Sequence, residues 1–429
     1  MPDPTQATLF AYQVGFGDCF LLRIGYDDGS ARHVLFDFGT TSLPEGAAKD
    51  HMVRVARDIE ARCNGKLDML VATHRHADHI SGFATSGNPA KPGPGDIIAA
   101  LTPSLVVQPW TEAPSAPIDW TGPKGIARAK GFSNHVNALL SMQKTAENSL
   151  AFLKFAGKRV PPAVASQIAF IGEDNLANLS SVSNLQAMGK KTRAEFVFHG
   201  CKLDVSNELP GVTIDILGPP TLLQSDSIRT QASSNKDEFW MLAAKRMGDA
   251  AGAGVKTPLF PNARSRPGSR MLVEYRWLQR RLDAAQAELT LGLVRALDDQ
   301  MNNTSVIMVM RFAGKTLLFP GDAQWENWHY ALQSPLAALL DDVDFYKVGH
   351  HGSRNATPKS MWKKLANKGP ASKPRRLTSV VSTKQGKHGT ESKHTEVPRK
   401  SLMAELREQS NLHTTEALAP NSLYEEIQI

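Results

Sequence analysis

Seven consecutive residues, Thr73-His74-Arg75-His76-Ala77-Asp78-His79, place three imidazoles and a carboxylate side by side, directly after the apolar run Leu67-Asp68-Met69-Leu70-Val71-Ala72. A run of that length and character is expected to be a buried strand, and it delivers the polar residues at its carboxyl end, where sites are commonly built. Imidazole nitrogen and carboxylate oxygen are the donors that zinc, manganese or iron take. His74 and His76, two apart on extended backbone, point the same way and suit one ion. Asp78 and His79 lie on the following turn and can reach a second ion beside it. A chance histidine-rich surface loop would need four ligand-type side chains to gather behind an apolar strand, so the segment constrains the fold to one with a sheet edge at a metal site.

Three shorter motifs acquire meaning beside it. Phe36-Asp37-Phe38-Gly39 puts a carboxylate at another strand end, where Asp37 can accept a hydrogen bond from a ligand imidazole and fix its tautomer. Phe319-Pro320-Gly321-Asp322 repeats the arrangement with Asp322 placed to bridge two ions, and Val348-Gly349-His350-His351-Gly352-Ser353 supplies paired imidazoles between glycines. The expected metal ligands are therefore His74, His76, Asp78, His79, Asp322, His350 and His351.

Around these motifs the pattern is that of an α/β chain. Leu9–Val14, Cys19–Ile24 and His33–Phe38 are apolar or alternating runs broken by Gly15, Gly17, Gly25 and Asp27-Asp28-Gly29, which predicts a strand meander. Met52, Val53, Val55, Ala56 and Ile59 have helical spacing within 47–63. Strands are predicted again at 212–217, 305–312, 316–319 and 344–348. Residues 105–200 read as an inserted, partly helical segment, and 221–300 as a second, helical insertion carrying Leu278, Leu282, Ala285, Leu289 and Leu293 at spacings of three or four. The whole of 1–429 then forms a single hydrolase-like domain with 347–408 as its basic C-terminal part. At 41% hydrophobic and 21% charged, the chain is far from disordered or collagenous sequences. Cys19, Cys63 and Cys201 are widely spaced, which argues against a thiolate cage and for a reducing compartment. The opening residues lack a basic region followed by an apolar stretch, and no window reaches the roughly 18 apolar residues of a spanning helix. The expectation is a cytoplasmic protein without membrane attachment.

The order Asp37, His74-x-His76-x-Asp78-His79, Gly321-Asp322, His350-His351-Gly-Ser resembles the metallo-β-lactamase-fold hydrolases. Val14-Gly15-Phe16-Gly17-Asp18, Asn302-Asn303-Thr304-Ser305-Val306 and Lys347-Val-Gly-His-His-Gly-Ser resemble more narrowly the hydrolase domain of competence (DNA-uptake) channel proteins and their soluble relatives. The resemblance covers residues 7–105, 210–220 and 300–415. It implies a four-layer αββα sandwich with one or two Zn2+ or Mn2+ ions at one edge. Many family members carry a further His roughly 20 residues before the Gly-Asp motif, where this chain has Asn302-Asn303. Asn303 is thus expected near the ligands as a weaker partner than imidazole, with His135 and His199 as remote substitutes. Ser353, Lys347 and His394 are the expected substrate contacts.

A bound dication lowers the pKa of water from about 15.7 to near 7, which makes hydroxide the expected nucleophile, with Asp78 orienting or deprotonating it. Between Lys347 and Glu408 fifteen Lys and Arg face four Glu and no Asp, a candidate surface for anions. Together with the resemblance, this points to a phosphodiesterase or nuclease acting on nucleic acid. The alternatives are hydrolysis of a small-molecule phosphodiester, lactone or thioester, and a catalytically inactive binding module of the same fold.

Overall fold

The computed structural model describes residues 2–113, 178–221, 224–225, 301–353, 357–391, 396–419 and 422–429, with isolated positions between 153 and 168 and at 281 and 287. The helical pattern expected from Leu278 to Leu293 lies, apart from 281 and 287, outside the described residues, as do His135 and His394.

Two mixed sheets organise the chain. The first holds β1 (Pro4–Tyr12), β2 (Cys19–Tyr26), β3 (Ala31–Phe38), β4 (Met69–Val71), β5 (Leu105–Pro109), β6 (Ala194–Val197) and β13 (Tyr424–Gln428), in the order β13-β1-β2-β3-β4-β5-β6. The second holds β7 (Thr213–Gly218), β8 (Ile307–Phe312), β9 (Lys315–Phe319), β10 (Phe345–Lys347), β11 (Thr378–Val381) and β12 (Asn411–Thr414), in the order β12-β11-β10-β9-β8-β7. Strands β1 to β3 form the predicted antiparallel meander, and from β3 to β6 the pairing turns parallel. In the second sheet β9 to β12 are parallel and β7 to β9 antiparallel. Each sheet therefore has a parallel half whose carboxyl ends share an edge.

Side-chain alternation explains why these strands read as continuous apolar runs. Phe20, Phe36, Met69, Val71 and Val107 of the first sheet meet Ile216, Met308, Met310, Leu317 and Phe319 of the second in one buried cluster. Their neighbours Leu21, Leu35, Leu70 and Val106 point outward, against α1 (His51–Arg62), α3 (Pro94–Ala100) and α4 (Leu179–Lys191). Ile307, Val309, Leu318, Tyr346 and Val381 likewise cover α5 (Trp325–Gln333), α6 (Lys359–Lys364) and α7 (Lys400–Gln409). Strands covered on both faces lose the polar alternation of a half-exposed sheet. The packing order is helices, sheet, sheet, helices.

One boundary needs correction. The segment 105–200, expected as an insertion, supplies β5 and β6 to the first sheet and α4 to its outer face. Of the aromatics after Asp322, Trp328 is fully buried in the core, whereas Trp325 is 46% exposed. No helix among the described residues is long and apolar enough to cross a membrane.

At the centre of the inter-sheet core Phe36 and Phe319 stack with ring centroids 3.9 Å apart and planes 7° from parallel. Phe36 directly precedes Asp37, and Phe319 ends β9 three residues before Asp322. Phe319→Ala should lower stability by about 3–5 kcal/mol, the usual cost of emptying a buried aromatic site. Urea denaturation should show a lower midpoint at unchanged slope; a loss under about 1 kcal/mol would mean the two sheets do not share this core.

Candidate metal centre

The parallel halves of the two sheets deliver their strand ends to one place. Asp37 comes from the end of β3, and Thr73 through His79 from the turn after β4 and the short helix α2 (Ala77–Ile80). Asp322 follows β9, His350 and His351 follow β10, and Ser382 follows β11. The α2 turn can pack on the end of β3 because Gly39 has no side chain: a Cβ there would lie 2.5 Å from backbone atoms of Ala77, Asp78 and His79. Gly321, at φ +54°, similarly admits Thr73, whose Cβ would stand 2.8 Å from an added methyl. Asp37, His350 and His351 are non-glycine residues held at φ 52°, 43° and 51°. Such strain persists where the surroundings over-determine it.

Three groups of donor atoms result, each with its members within 4.8 Å of one another: Asp18, Asp37 and His79, tied by the Asp37–His79 hydrogen bond, and two clusters around Asp78, namely Asp78, His79, Asp322 and His351, and His74, His76 and Asp78. Asp78 belongs to both. Asp322, expected to bridge, falls in one. His350 belongs to neither; its contribution is a backbone N–H donated to Asp322 Oδ1 at 2.9 Å. The left-handed backbone at 350 and 351 brings the His351 ring into the first cluster, and the His350 charge still acts on Asp322.

Hydrogen bonds behind the rings decide which nitrogens face inward. His351 Nδ1 donates to the Ser382 carbonyl at 2.9 Å, and a carbonyl can only accept, so Nε2 is the nitrogen turned inward, hydrogen-bonded to Asp78 Oδ2 at 3.0 Å and available to a metal once its proton leaves. His79 Nδ1 donates to Asp37 Oδ2 at 2.7 Å, the role expected of Asp37; the same carboxylate accepts from the Thr73 amide and hydroxyl, both at 2.7 Å. His79 Nε2 then faces Asp322 Oδ2 at 3.1 Å without making a hydrogen bond. The Thr73 hydroxyl, having given its proton to Asp37, accepts from His74 Nδ1 at 3.2 Å, which leaves His74 Nε2 3.1 Å from His76 Nδ1. His74 Nε2 and His76 Nδ1, 3.1 Å apart, can share one ring proton, while Nε2 of His351 and of His79 stand 3.0 and 3.1 Å from carboxylate oxygens, contacts that either a ring proton or a metal ion makes favourable. Tetrahedral zinc with bonds of about 2.0–2.1 Å separates its ligands by roughly 3.3 Å. The donor set and its spacing fit a dication.

Charge points the same way. Asp18, Asp37 and Asp322 are buried, and Lys347, also buried, pairs with Asp18 and stands 3.6 Å from Asp322 Oδ1. Burial pushes the His79 and His351 rings down, but the surrounding carboxylates outweigh it, so His79 ends well above the usual imidazole range and His351 above it. Burial and the neighbouring rings hold His74 well below that range. Despite burial, Asp78 and Asp322 are held low by the cations around them.

Other expected residues fall elsewhere. Lys347, expected at the substrate, is 3% exposed and engaged with Asp18, an internal cation rather than a surface contact. Ser353 is buried as well. Asn303 donates its amide to Glu326 at 2.8 Å, and His199 binds the Leu217 carbonyl at 2.8 Å. Asp18 was not foreseen as a centre residue. Its carboxylate lies 3.6 Å from Nδ1 of both His79 and His351, and its amide binds the Asp78 carbonyl at 2.8 Å. A carboxylate placed directly before the apolar β2 was the available signal. Phe16 covers His351 at 4.2 Å and is covered in turn by His388 at 4.5 Å, whose half-buried ring is pushed down to about 4.

Compared with known proteins, the chain matches no family model and no curated protein.

The surrounding carboxylates raise the proton affinity of His79 and His351, so metal has to displace protons there, and its affinity should rise with pH by about tenfold per pH unit for each proton released. Calorimetry in buffers of different ionisation enthalpy measures the number released. Affinity independent of pH would contradict the assigned ring orientations.

Proposed function

We propose that the chain is a metal-dependent hydrolase with a sandwich of the metallo-β-lactamase type, acting on phosphodiester bonds. The observation that carries this reading is the position of Asp78. It is common to both donor clusters, and its side chain is 16% exposed while His79, Asp322 and His351 lie at 0–1%. A molecule arriving from solvent therefore meets the one shared carboxylate first.

Two dications, Zn2+ or Mn2+, held by His74, His76 and Asp78 and by Asp78, His79, Asp322 and His351, would supply acidified water and polarise the scissile oxygen. The chain contributes the rest. Asp78, ionised at neutral pH, orients the attacking water and takes up its proton. Asp37 and the Ser382 carbonyl lock the His79 and His351 rings, so no reorganisation is needed during turnover. Phe16 excludes water from one side of His351.

The basic stretch 347–408 supports an anionic substrate less strongly than its count suggests. Lys347 is spent on Asp18 and Arg375 on Asp344; Arg376 donates to the Gly369, Arg407 and Glu408 carbonyls, Lys373 to Ala366 and Lys368, and Lys384 to Leu43. These internal uses favour a small phosphodiester as a second reading beside nucleic acid.

With Mn2+ or Zn2+ supplied, Asp78→Asn should lower turnover of bis-(p-nitrophenyl) phosphate by about 10²–10⁴-fold. Equal rates would contradict the role of Asp78. Labelled DNA and RNA should be cut with a steep dependence on salt if nucleic acid is the substrate. Hydrolysis of the simple diester without nucleic-acid cleavage would select the small-molecule reading.

A further inference from the structure

Arg75 stands between the two imidazoles His74 and His76, yet its side chain turns away from the donor clusters. The guanidinium grips Glu112 through Nε at 3.1 Å to both carboxylate oxygens and Nη2 at 2.6 Å to Oε2. Glu112 is 7% exposed and Arg75 28%, so this is a part-buried, multiply bonded pair. On its other side, the Arg75 carbonyl accepts the side-chain amide of Asn178 at 2.7 Å, and Asn178 is 2% exposed. In sequence, Glu112 and Asn178 flank residues 113–177. Both stems of that segment thus close on the single residue that spaces the His74 and His76 ligands. Trp110, in the same turn as Glu112, adds an indole N–H donated to the Pro220 carbonyl at 3.2 Å, tying the stem to the end of β7 as well.

The two donor clusters differ in what they can tolerate. Asp78, His79, Asp322 and His351 offer four donors, whereas His74, His76 and Asp78 offer three. A three-donor set depends more on each ring being held in place. We infer that Arg75, gripped by Glu112 and Asn178, is the positioning residue of the His74–His76–Asp78 cluster, and that its grip couples metal affinity at that cluster to the stems of the 113–177 segment. The inference rests on the metallohydrolase reading and extends it to control of one metal position. Removing the Glu112 charge acts in one direction by two routes: the His74–His76 turn loses its anchor, and the Arg75 cation is left uncompensated beside a cation-binding cluster. Coupling is reciprocal, so metal at the cluster must also steady the stems.

The test is a stepwise Co2+ titration of the full chain followed by visible absorption, in wild type, Glu112→Gln, Asn178→Ala and Arg75→Lys, with amide exchange measured at Ala113 and Val182. The Ala113 amide bonds the Trp110 carbonyl and the Val182 amide the Asn178 carbonyl, so they report on the two stems. Wild type should bind in two steps. Glu112→Gln and Asn178→Ala should weaken one step by roughly 5- to 150-fold, the usual range of coupling between sites, and leave the other within twofold. Arg75→Lys, which keeps the charge but lacks the fork, should weaken the same step. Metal should slow exchange at Ala113 and Val182 in wild type and not in Glu112→Gln. Two-step binding with both steps weakened equally, or neither, would overturn the coupling and leave the metal centre standing. No Co2+ uptake by wild type would overturn the metallohydrolase reading and this inference with it.

Discussion

Negative charge collected where solvent is excluded is the constraint on which the rest of the structure depends. Asp18, Asp37, Asp78 and Asp322 meet at the strand ends with one buried ammonium, that of Lys347, against them. Carboxylates in such surroundings need cations or protons close by. Lys347 satisfies Asp18, and Thr73 with His79 satisfies Asp37. Asp78 and Asp322 are left facing the inward nitrogens of His351 and His79. Positive charge has to enter between them, as ring protons in the bare protein or as metal in the loaded one.

The fold concentrates that charge by topology. Each sheet is antiparallel on one side and parallel on the other, and parallel neighbours present their carboxyl ends at the same edge. The Phe36–Phe319 stack ties the two parallel halves together just before their ends. From there the chain leaves β3, β9 and β10 through glycines or left-handed residues, which lets backbone approach backbone and turns side chains inward. Rigidity of the centre is thus a property of strand ends and of the hydrogen bonds behind the rings.

Much of this was legible in the sequence. The α/β pattern, the meander, α1 and the strands leading into Asp322 and His351 follow from apolar runs and their stops. The cluster after β4 and the partnership of Asp37 follow from donor chemistry. What escaped had physical reasons. Strands β5 and β6, five and four residues long and bounded by Pro103 and Pro109 or by Arg193 and Phe198, fall below the length at which periodicity separates a strand from a loop. Adjacent imidazoles at 350 and 351 are equivalent on paper, and only the fold supplies the Ser382 carbonyl that orients the His351 ring. Lys347 reads as a surface cation, but it closes the three-residue strand β10, buried at every position, so its ammonium has to seek a carboxylate inside. Asp18 and Lys347 are distant in sequence, and only the folded sheets bring them together.

The most direct measurement is diffraction from crystals soaked with Zn2+ or Mn2+, recorded at the absorption edge of the metal. An anomalous peak bounded by His79 Nε2, Asp322 Oδ2, His351 Nε2 and Asp78 is expected, with the four donors closed around it. Saturating metal that produces no peak there, with those rings and carboxylates left apart, would contradict a centre built to hold a dication.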